Sequence, residues 1–230
     1  MAGIKIIDYK AGNAPSVYHA VKRLGFEADL ARTPEDIRGA THIILPGVGS
    51  AGATMESLHE TGFTGALGEA VLDKKVFFLG ICVGIQILFE HSEEDDARCL
   101  GWLKGRVARF DAHKVRVPQM GWNRVRFIKE TPCPAREGYF YFVNSYHVLL
   151  EDPDDLWGEA DYDGPFTAAV RRGNIYAAQF HVEKSGEAGL ELLRGYLSLH
   201  VDDKDDSRGY GKSDGKGDDK YDAKGGDGLC

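Results

Sequence analysis

The 230-residue sequence contains no run of eighteen apolar residues, and no basic segment leads into an apolar stretch near its start. We therefore expect neither a membrane-spanning helix nor a secretion signal, and the cytoplasm is the expected location. An excess of basic residues is also missing, because the formal net charge is −8. Since contacts to phosphates need a basic face, we expect no nucleic-acid partner.

Cysteine is scarce, with four residues at positions 82, 99, 133 and 230. No two of them have the Cys-x-x-Cys spacing, and none is paired with histidine as in a zinc site. We expect no metal and no cofactor, and free thiols that fit a reducing compartment.

Apolar side chains are almost absent from residues 201–230, which are mainly Asp, Gly and Lys. Such a segment cannot bury enough surface to offset its ordering entropy, so we predict a disordered tail. Its aspartates lack the spacing of a calcium-binding loop. Residues 1–200 are long enough for one well-buried domain.

Within that domain, short apolar runs alternate with segments of helical periodicity. This alternation predicts a doubly wound α/β fold with a mostly parallel central sheet, and the Pro- and Gly-punctuated stretch from 105 to 142 predicts an antiparallel extension of it. The closing helix is expected at 187–199 and a hairpin at 166–180. The other predicted strands are 4–8, 28–30, 43–45 and 76–79, and the other predicted helices start near 17 or span 54–61, 63–73 and 84–91.

Cys82 lies between Gly80 and Gly84, directly after the apolar run 76–79. At a strand-to-helix turn, the amides and dipole of the following helix favour a thiolate, and the glycines permit a sharp bend. The pattern therefore predicts a cysteine nucleophile. By itself the pattern is more often that of a small apolar core residue than of a catalyst.

His181 and Glu183 follow the mostly apolar segment 175–180. In an extended chain, residues two apart point the same way, so the carboxylate can orient the imidazole while the ring serves the thiol. The alternative is a strand end with two polar side chains in water, which leaves the apolar segment that ends there unexplained.

Acyl transfer also requires donors aimed at the developing oxyanion. The loop of Gly47, Val48 and Gly49 follows the buried run 43–45, and its amides are predicted to join that of Val83 as the oxyanion hole. Taken alone, a Pro-Gly-x-Gly loop is usually a turn or a phosphate cradle. Here it precedes the nucleophile by one βα unit, which puts both loops at the carboxyl edge of a parallel sheet.

The sequence contains six motifs that belong together: Asp8-Tyr9-Lys10-Ala11-Gly12-Asn13, Leu45-Pro46-Gly47-Val48-Gly49, Gly80-Ile81-Cys82-Val83-Gly84-Ile85-Gln86, Pro118-Gln119-Met120-Gly121-Trp122-Asn123, Tyr141-Phe142-Val143-Asn144-Ser145-Tyr146 and Gln179-Phe180-His181-Val182-Glu183-Lys184-Ser185. Together they resemble the glutaminase subunits of imidazole glycerol phosphate synthase, which are class I (triad) glutamine amidotransferases of flavodoxin-like fold. The resemblance covers about residues 3–199. It implies hydrolysis of glutamine to glutamate and ammonia, and a heterodimer with a (β/α)8 cyclase subunit that uses the ammonia in histidine biosynthesis.

Residue by residue, the resemblance implies Cys82, His181 and Glu183 as the triad. Glu94 would meet the substrate's ammonium group, although it sits in a run that also reads as a solvated acidic loop. Trp122 would face the cyclase, although an indole followed by Asn can also be a core side chain. The implied substrate-binding residues are Gly49, Gln86, Glu94, Ser145 and Tyr146, and the implied interface residues are Asn13, Trp122, Tyr141 and Lys184.

Three positions depart from the family pattern. Val182 stands where proline is usual, and we expect it to be extended and to leave the triad geometry intact with slightly more freedom. Asn144 and Gln119 each stand where histidine is commoner. The departure at Asn144 puts any polar contact of that side chain in doubt, and the one at Gln119 has no derivable consequence.

Two other functions share these residues. A related glutaminase that feeds a different synthase, such as one aminating a polysaccharide sugar, would have the same motifs. A scaffold with a decayed triad, or a cysteine hydrolase of the same fold, is the alternative from another class. The complete Cys, His and Glu set argues against decay.

Overall fold

The computed structural model describes residues 3–9 and 13–200. The predicted tail, residues 201–230 with Cys230, and residues 10–12 of the first motif lie outside the described residues. In chain order, the strands are β1 (Ile4–Ile7), β2 (Ala28–Ala31), β3 (His42–Gly47), β4 (Phe77–Cys82), β5 (His91–Ser92), β6 (Ala97–Arg98), β7 (Gly105–Arg109), β8 (Gln119–Phe127), β9 (Gly138–Asn144), β10 (Tyr146–Leu150), β11 (Leu156–Asp161), β12 (Pro165–Arg172) and β13 (Ile175–Ala178). The α-helices are α1 (Ala14–Arg23), α2 (Ala51–Glu60), α3 (Phe63–Gly68), α4 (Val83–Gln86) and α5 (Gly186–Leu197).

The strands form one mixed sheet whose path runs β2-β1-β3-β4-β13-β12-β10-β7-β5-β6. The first five strands of this path are parallel. β12 pairs antiparallel with β13, β10 and β11, and β11 continues through β8 to β9. The predicted fold class, a mostly parallel doubly wound sheet with an antiparallel extension, is confirmed.

Burial explains why the parallel half forms where it does. Every residue of β1, β3, β4 and β13 is buried, as expected of parallel strands covered on both faces. Helix α1 buries Val17, Ala20 and Val21, which is the stripe predicted by their spacing. The register aligns Gly47 of β3 with Cys82 of β4, so the loops after both strands leave the same edge of the sheet.

The helix predicted over 84–91 is wrong in length, because α4 ends at Gln86. Ile87, Leu88 and Phe89 are all fully buried, so this segment has no solvent-facing side of the kind an amphipathic helix shows. The chain leaves the helical path to pair His91 with Arg106 of β7.

The strand predicted to reach residue 180 ends earlier, at Ala178. Residues Val182–Lys184 then form a 3₁₀ turn, so the extended conformation expected for Val182 is also wrong. A 3₁₀ turn starts with φ near −65°, which is the angle that proline would impose at this position.

Candidate active site

Cys82 occupies a strained backbone conformation at the tip of β4. Its φ of 58° and ψ of −108° lie in a region that residues with a side chain rarely adopt, at a cost of about 1–3 kcal/mol. The next residue, Val83, begins α4, so the thiol sits at a strand-turn-helix elbow. The sharp strand-to-helix bend predicted from the flanking glycines is therefore present at Cys82.

Glycines make this elbow sterically possible. A Cβ on Gly80 would lie 2.4 Å from the carbonyl oxygen of Gly84, and a Cβ on Gly84 would lie 2.4 Å from that of Leu45. A Cβ on Gly47 would come within 2.7 Å of the Val83 side chain. The ends of β3 and β4 thus pack directly on the backbone of α4, which fixes the position of the sulfur.

His181 and Glu183 form a buried pair beside the thiol. The Nδ1 atom of His181 lies 2.8 Å from Oε1 of Glu183, and the same oxygen accepts a hydrogen bond of 3.0 Å from Nδ2 of Asn13. Both side chains of the pair are almost completely buried. Since a 3₁₀ turn joins them, the two groups converge through a bend, and not along an extended strand as the spacing suggested.

The environment of His181 favours its protonated form. Burial lowers the pKa of the ring, but hydrogen bonds and charge interactions with Cys82 and Glu183 outweigh it and raise the pKa to about 9. Burial raises the pKa of Glu183, but its bonds from His181 and Asn13 lower it overall. The site is thus arranged to hold an imidazolium between a carboxylate and a sulfur.

Backbone contacts from β9 fix the turn that carries His181. The His181 amide donates to the carbonyl of Tyr141 over 2.9 Å, and the Tyr141 amide donates to Oγ of Ser185 over 2.9 Å. The Ser185 hydroxyl in turn donates to the carbonyl of His181 over 2.6 Å. Ser185, which the sequence analysis left without a role, closes this loop of hydrogen bonds and is buried.

A cavity of about 320 Å³ opens onto the sulfur. Of the predicted oxyanion residues, Val48, Gly49 and Val83 line it, whereas Gly47 does not and packs against Val83. All five predicted substrate-binding residues line the cavity. Its complete lining is Val48, Gly49, Cys82, Val83, Gln86, Glu94, Pro118, Val143, Asn144, Ser145, Tyr146, His181 and Lys184.

Glu94 is the one carboxylate of this lining. One of its oxygens accepts the amide of Ala51 over 2.9 Å at the start of α2, which anchors the side chain. Burial raises the pKa of Glu94, and the bond from Ala51 opposes that shift. A half-buried carboxylate facing a cavity is suited to an ammonium group, because the cation offsets its desolvation.

Two departures from the family pattern turn out to be neighbours. Gln119 of β8 pairs directly across from Asn144 of β9, and both side chains are buried. Asn144 donates through Nδ2 to the carbonyl of Tyr146 over 3.0 Å, so it does make a polar contact. The sequence alone gave no sign of this pairing, since it depends on strand register.

The predicted interface residues fall into two groups. Trp122 is 56% exposed, and its ring packs edge-to-face on that of Tyr141 at 5.8 Å. Lys184 is exposed at the cavity, whereas Asn13 is occupied by its bond to Glu183. Trp122 and Tyr141 therefore present an aromatic surface, and Asn13 belongs to the triad's surroundings.

A larger cavity, of about 920 Å³, lies elsewhere in the molecule, next to the amino ends of β1 and β3. Its lining includes Gly3, His42 and Phe77 but none of the triad residues, so size does not identify the reactive site here. No group of three or more metal-ligating side chains occurs within residues 3–9 and 13–200. In the same ranges, no helix is long and apolar enough to cross a membrane.

The family model for class-I glutamine amidotransferases matches residues 5–197. The imidazole glycerol phosphate synthase subunit HisH of Leptospira borgpetersenii is 40% identical over 203 residues, which span 85% of this chain and 100% of that protein. The subunit of the same name from Desulfitobacterium hafniense is 44% identical over 199 residues, spanning 84% and 92%.

A longer relative is the chloroplastic imidazole glycerol phosphate synthase hisHF of Arabidopsis thaliana, 40% identical over 84% of this chain but only 34% of that protein. Among solved structures, PurLQS from Thermotoga maritima has a TM-score of 0.70 at 20% identity, covering 84% of this chain and 96% of that one. A structure described as a glutamine amidotransferase has a TM-score of 0.67 at 21% identity, covering 84% and 96%. The likeness to these two structures concerns the fold alone.

Proposed function

The chain belongs to the class-I glutamine amidotransferase family, among the HisH glutaminase subunits of imidazole glycerol phosphate synthase. We propose that it hydrolyses glutamine through Cys82, His181 and Glu183. The reaction yields glutamate and ammonia for histidine biosynthesis. The single observation that carries the assignment of the triad is the buried His181–Glu183 pair beside a strained cysteine at the head of α4.

The chemistry proceeds in two steps. The Cys82 thiolate attacks the side-chain amide carbon of glutamine, and His181 gives a proton to the nitrogen as the C–N bond breaks and ammonia leaves. A γ-glutamyl thioester remains on Cys82. His181 then takes a proton from water, the resulting hydroxide attacks the thioester, and glutamate departs while the sulfur regains its thiolate form.

The cavity lining supplies the other roles. Glu94 receives the substrate's ammonium group, and Gln86, Ser145 and Tyr146 surround the amino-acid end of the substrate. The side-chain oxygen of Gln86 is buried and has no hydrogen-bond partner among the described residues, so it remains available as an acceptor. The amides of Val83 and of the Val48–Gly49 segment stabilise the oxyanion.

Glutaminase activity in the absence of a synthase that uses the ammonia would waste glutamine. The loop of Gly47, Val48 and Gly49 therefore places its amides to bind the oxyanion only when the cyclase partner has bound its ribonucleotide substrate. Gly49 supports this, because its φ of 100° is open to glycine and nothing lies within 4 Å of an added Cβ. Gly49→Ala therefore tests loop conformation without a clash, whereas Gly47→Ala would also test packing on Val83. If Gly49→Ala left partner-stimulated turnover unchanged, the switching loop would be excluded.

The partner is a cyclase subunit of (β/α)8 architecture that forms a heterodimer with this chain in the cytoplasm. The exposed Trp122 and its neighbour Tyr141 supply the aromatic anchors of the contact, and Lys184 supplies a charge beside the cavity from which ammonia leaves. The partial coverage of the hisHF relative supports a glutaminase unit that works beside further sequence.

The decisive experiment measures glutamate release by the chain alone and with the cyclase subunit of the same source plus its ribonucleotide ligand. Cys82→Ala is the control for activity from other sources. Strong stimulation that the substitution abolishes is the expected result. A rate of glutamate release that the cyclase subunit does not change would indicate that the chain serves a different synthase. No glutamate release under any condition would favour a non-catalytic scaffold.

A further inference from the structure

Besides His181, a second polar side chain touches the nucleophile. Gln179 follows the last residue of β13 and is completely buried, with an exposed fraction of 0%. Its Nε2 atom lies 3.9 Å from Sγ of Cys82. A glutamine with no access to solvent must find its partners inside the protein, and here one of them is the reacting sulfur.

The neighbouring hydrogen bonds determine which end of the Gln179 amide faces the sulfur. The carbonyl of Tyr146 can only accept, and it lies 3.2 Å from the Gln86 side chain, so the atom of Gln86 there is the nitrogen. That same nitrogen lies 3.0 Å from the Gln179 amide, which must therefore present its oxygen to Gln86. The NH2 group of Gln179 is then left pointing at Cys82.

We propose that Gln179 is a catalytic residue that donates a hydrogen bond to the Cys82 sulfur, and that Gln86 holds its amide in the donating orientation. The proposal rests on the proposed glutaminase function, and it adds a neutral donor to the triad. A donor on the sulfur stabilises the thiolate relative to the thiol.

The same contacts link the substrate pocket to the nucleophile. The Gln86 nitrogen bridges the Tyr146 carbonyl at the cavity wall and the Gln179 oxygen behind the sulfur. Asn144 is the second donor to the Tyr146 carbonyl, so both lone pairs of this oxygen accept hydrogen bonds. The side-chain amides of Gln86 and Gln179 therefore have one orientation each. Substrate that engages this wall therefore binds next to a sulfur whose donor is already in place.

Several titratable groups near the Cys82 sulfur influence how its alkylation depends on pH. His181 faces it from the turn after β13, and Glu183 acts on it through His181. Tyr9, at the end of β1, interacts electrostatically with Cys82 and keeps its proton, because burial raises its pKa to about 12. Gln179 is uncharged, so its replacement by methionine removes the donor to the sulfur and the acceptor for Gln86 but leaves these titratable groups in place.

The experiment compares Gln179→Met with Gln119→Met. Both remove a buried glutamine amide near the cavity, but Gln119 lies across from Asn144 in the β8–β9 pair and is not within bonding distance of the sulfur. Two quantities are measured in each protein: kcat and KM for glutamine with the partner present, and the rate of Cys82 alkylation by iodoacetamide against pH without substrate. Gln179→Glu, which keeps the shape and the acceptor oxygen, is the second variant.

For Gln179→Met we expect kcat to fall about tenfold with KM changed less than about twofold, and the alkylation midpoint to rise by about one pH unit. Gln179→Glu is expected to raise that midpoint further, because it places a carboxylate beside the thiolate. Gln119→Met is expected to leave the midpoint unchanged. Circular dichroism checks that each variant is folded.

An unchanged midpoint in Gln179→Met, or an equal shift in Gln119→Met, would overturn the proposal and leave Gln179 as a packing residue. If Gln179→Met does not fold, the midpoint of Gln179→Leu, which also removes the donor without adding a charge, decides in its place. Failure of the proposed function looks different: the unaltered protein would release no glutamate with the partner, whereas the alkylation profiles would still report on Gln179.

Discussion

The two halves of the sheet hold the reactive groups by different means. In the parallel half, β3 and β4 fix Cys82 by backbone-to-backbone packing, with no room for a Cβ at Gly80 or Gly84. At the antiparallel half, β9 holds the His181 turn through three hydrogen bonds among His181, Tyr141 and Ser185. Packing tolerates almost no adjustment, whereas hydrogen bonds permit small movements of the ring.

The two halves of the sheet therefore contribute differently to the active site. The parallel half fixes the strained nucleophile by close packing of the backbone. The hydrogen-bonded half connects the base to β9, whose Tyr141 also contacts the exposed Trp122. If the partner docks on this aromatic surface as proposed, Tyr141 connects it directly to the turn that carries His181.

The largest effect is expected from breaking the packing of the nucleophile's strand. Gly80→Ala brings a Cβ within 2.4 Å of the Gly84 carbonyl, so we expect a loss of about 3 kcal/mol or more in the free energy of unfolding and loss of turnover. Urea unfolding measures it. Gly65→Ala, at an exposed position of α3 with nothing within 4 Å of the added Cβ, is the matched control and is expected to stabilise by up to about 1 kcal/mol. Equal stability of the two variants would contradict the packing account.

The next effect concerns the charge behind the base. Glu183→Gln removes the carboxylate that helps to raise the pKa of His181 to about 9, so that pKa falls towards its ordinary value of 6.5. We expect kcat to fall on the order of 10²–10⁴-fold. Because activity needs the imidazolium, the decline of kcat/KM at high pH should begin near pH 9 in the unaltered protein and at lower pH in the variant.

The same pKa sets a dependence of stability on pH. The pKa of His181 in the folded protein is above its ordinary value, so the stabilisation from its ion pair is complete below about pH 6.5 and is lost as pH rises through 9. Thermal melts across this range should show the loss in the unaltered protein and little of it in Glu183→Gln. Coincident pH profiles for the two proteins would rule out the pairing.

A smaller effect is expected where the antiparallel half holds the turn. Ser185→Ala leaves the Tyr141 amide and the His181 carbonyl without this partner, at a cost of about 1–3 kcal/mol in stability. Turnover should fall about tenfold, because the imidazole loses its fixed position. Urea unfolding and glutamate release measure the two changes. Ser198→Ala, at an exposed site, should alter stability by less than about 0.5 kcal/mol.

The smallest effect is expected at Val182. Its turn begins where proline is favoured, and the φ of −82° and ψ of 101° at His181 suit a residue that precedes proline. Val182→Pro should therefore change stability by less than about 1 kcal/mol. Turnover should stay within about threefold of the unaltered protein. A loss larger than that of Ser185→Ala would show that the turn needs the valine side chain.

Sequence patterns predicted the parallel half well because its signals are local. Buried strands appear as continuous apolar runs, and the elbow appears as glycines at fixed offsets from Cys82. The patterns failed at 87–89, where a short and uniformly apolar run does not distinguish a helix from another buried segment, and at Val182, where a two-residue spacing fits a turn as well as a strand. Local signals are ambiguous where tertiary packing decides the backbone path.

Contacts between distant segments were beyond such patterns. Asn13 binds Glu183 across 170 positions of the chain, and Gln179 meets Cys82 across 97. The pairing of Gln119 with Asn144 depends on the register of β8 and β9. The one available hint for Gln179 was a polar side chain at the carboxyl end of an apolar strand, on the same edge as the nucleophile.

The most direct test of the account is covalent labelling with a chloroketone analogue of glutamine, read by intact and peptide mass spectrometry. A Cys230→Ser background removes the thiol outside the described residues. Burial raises the pKa of Cys99 to about 11 and that of Cys133 to about 12, so neither competes near neutral pH. The account predicts one label, on Cys82, protected by glutamine and greatly slowed in His181→Asn. Label on Cys99 or Cys133, or labelling of Cys82 at the same rate without His181, would contradict it.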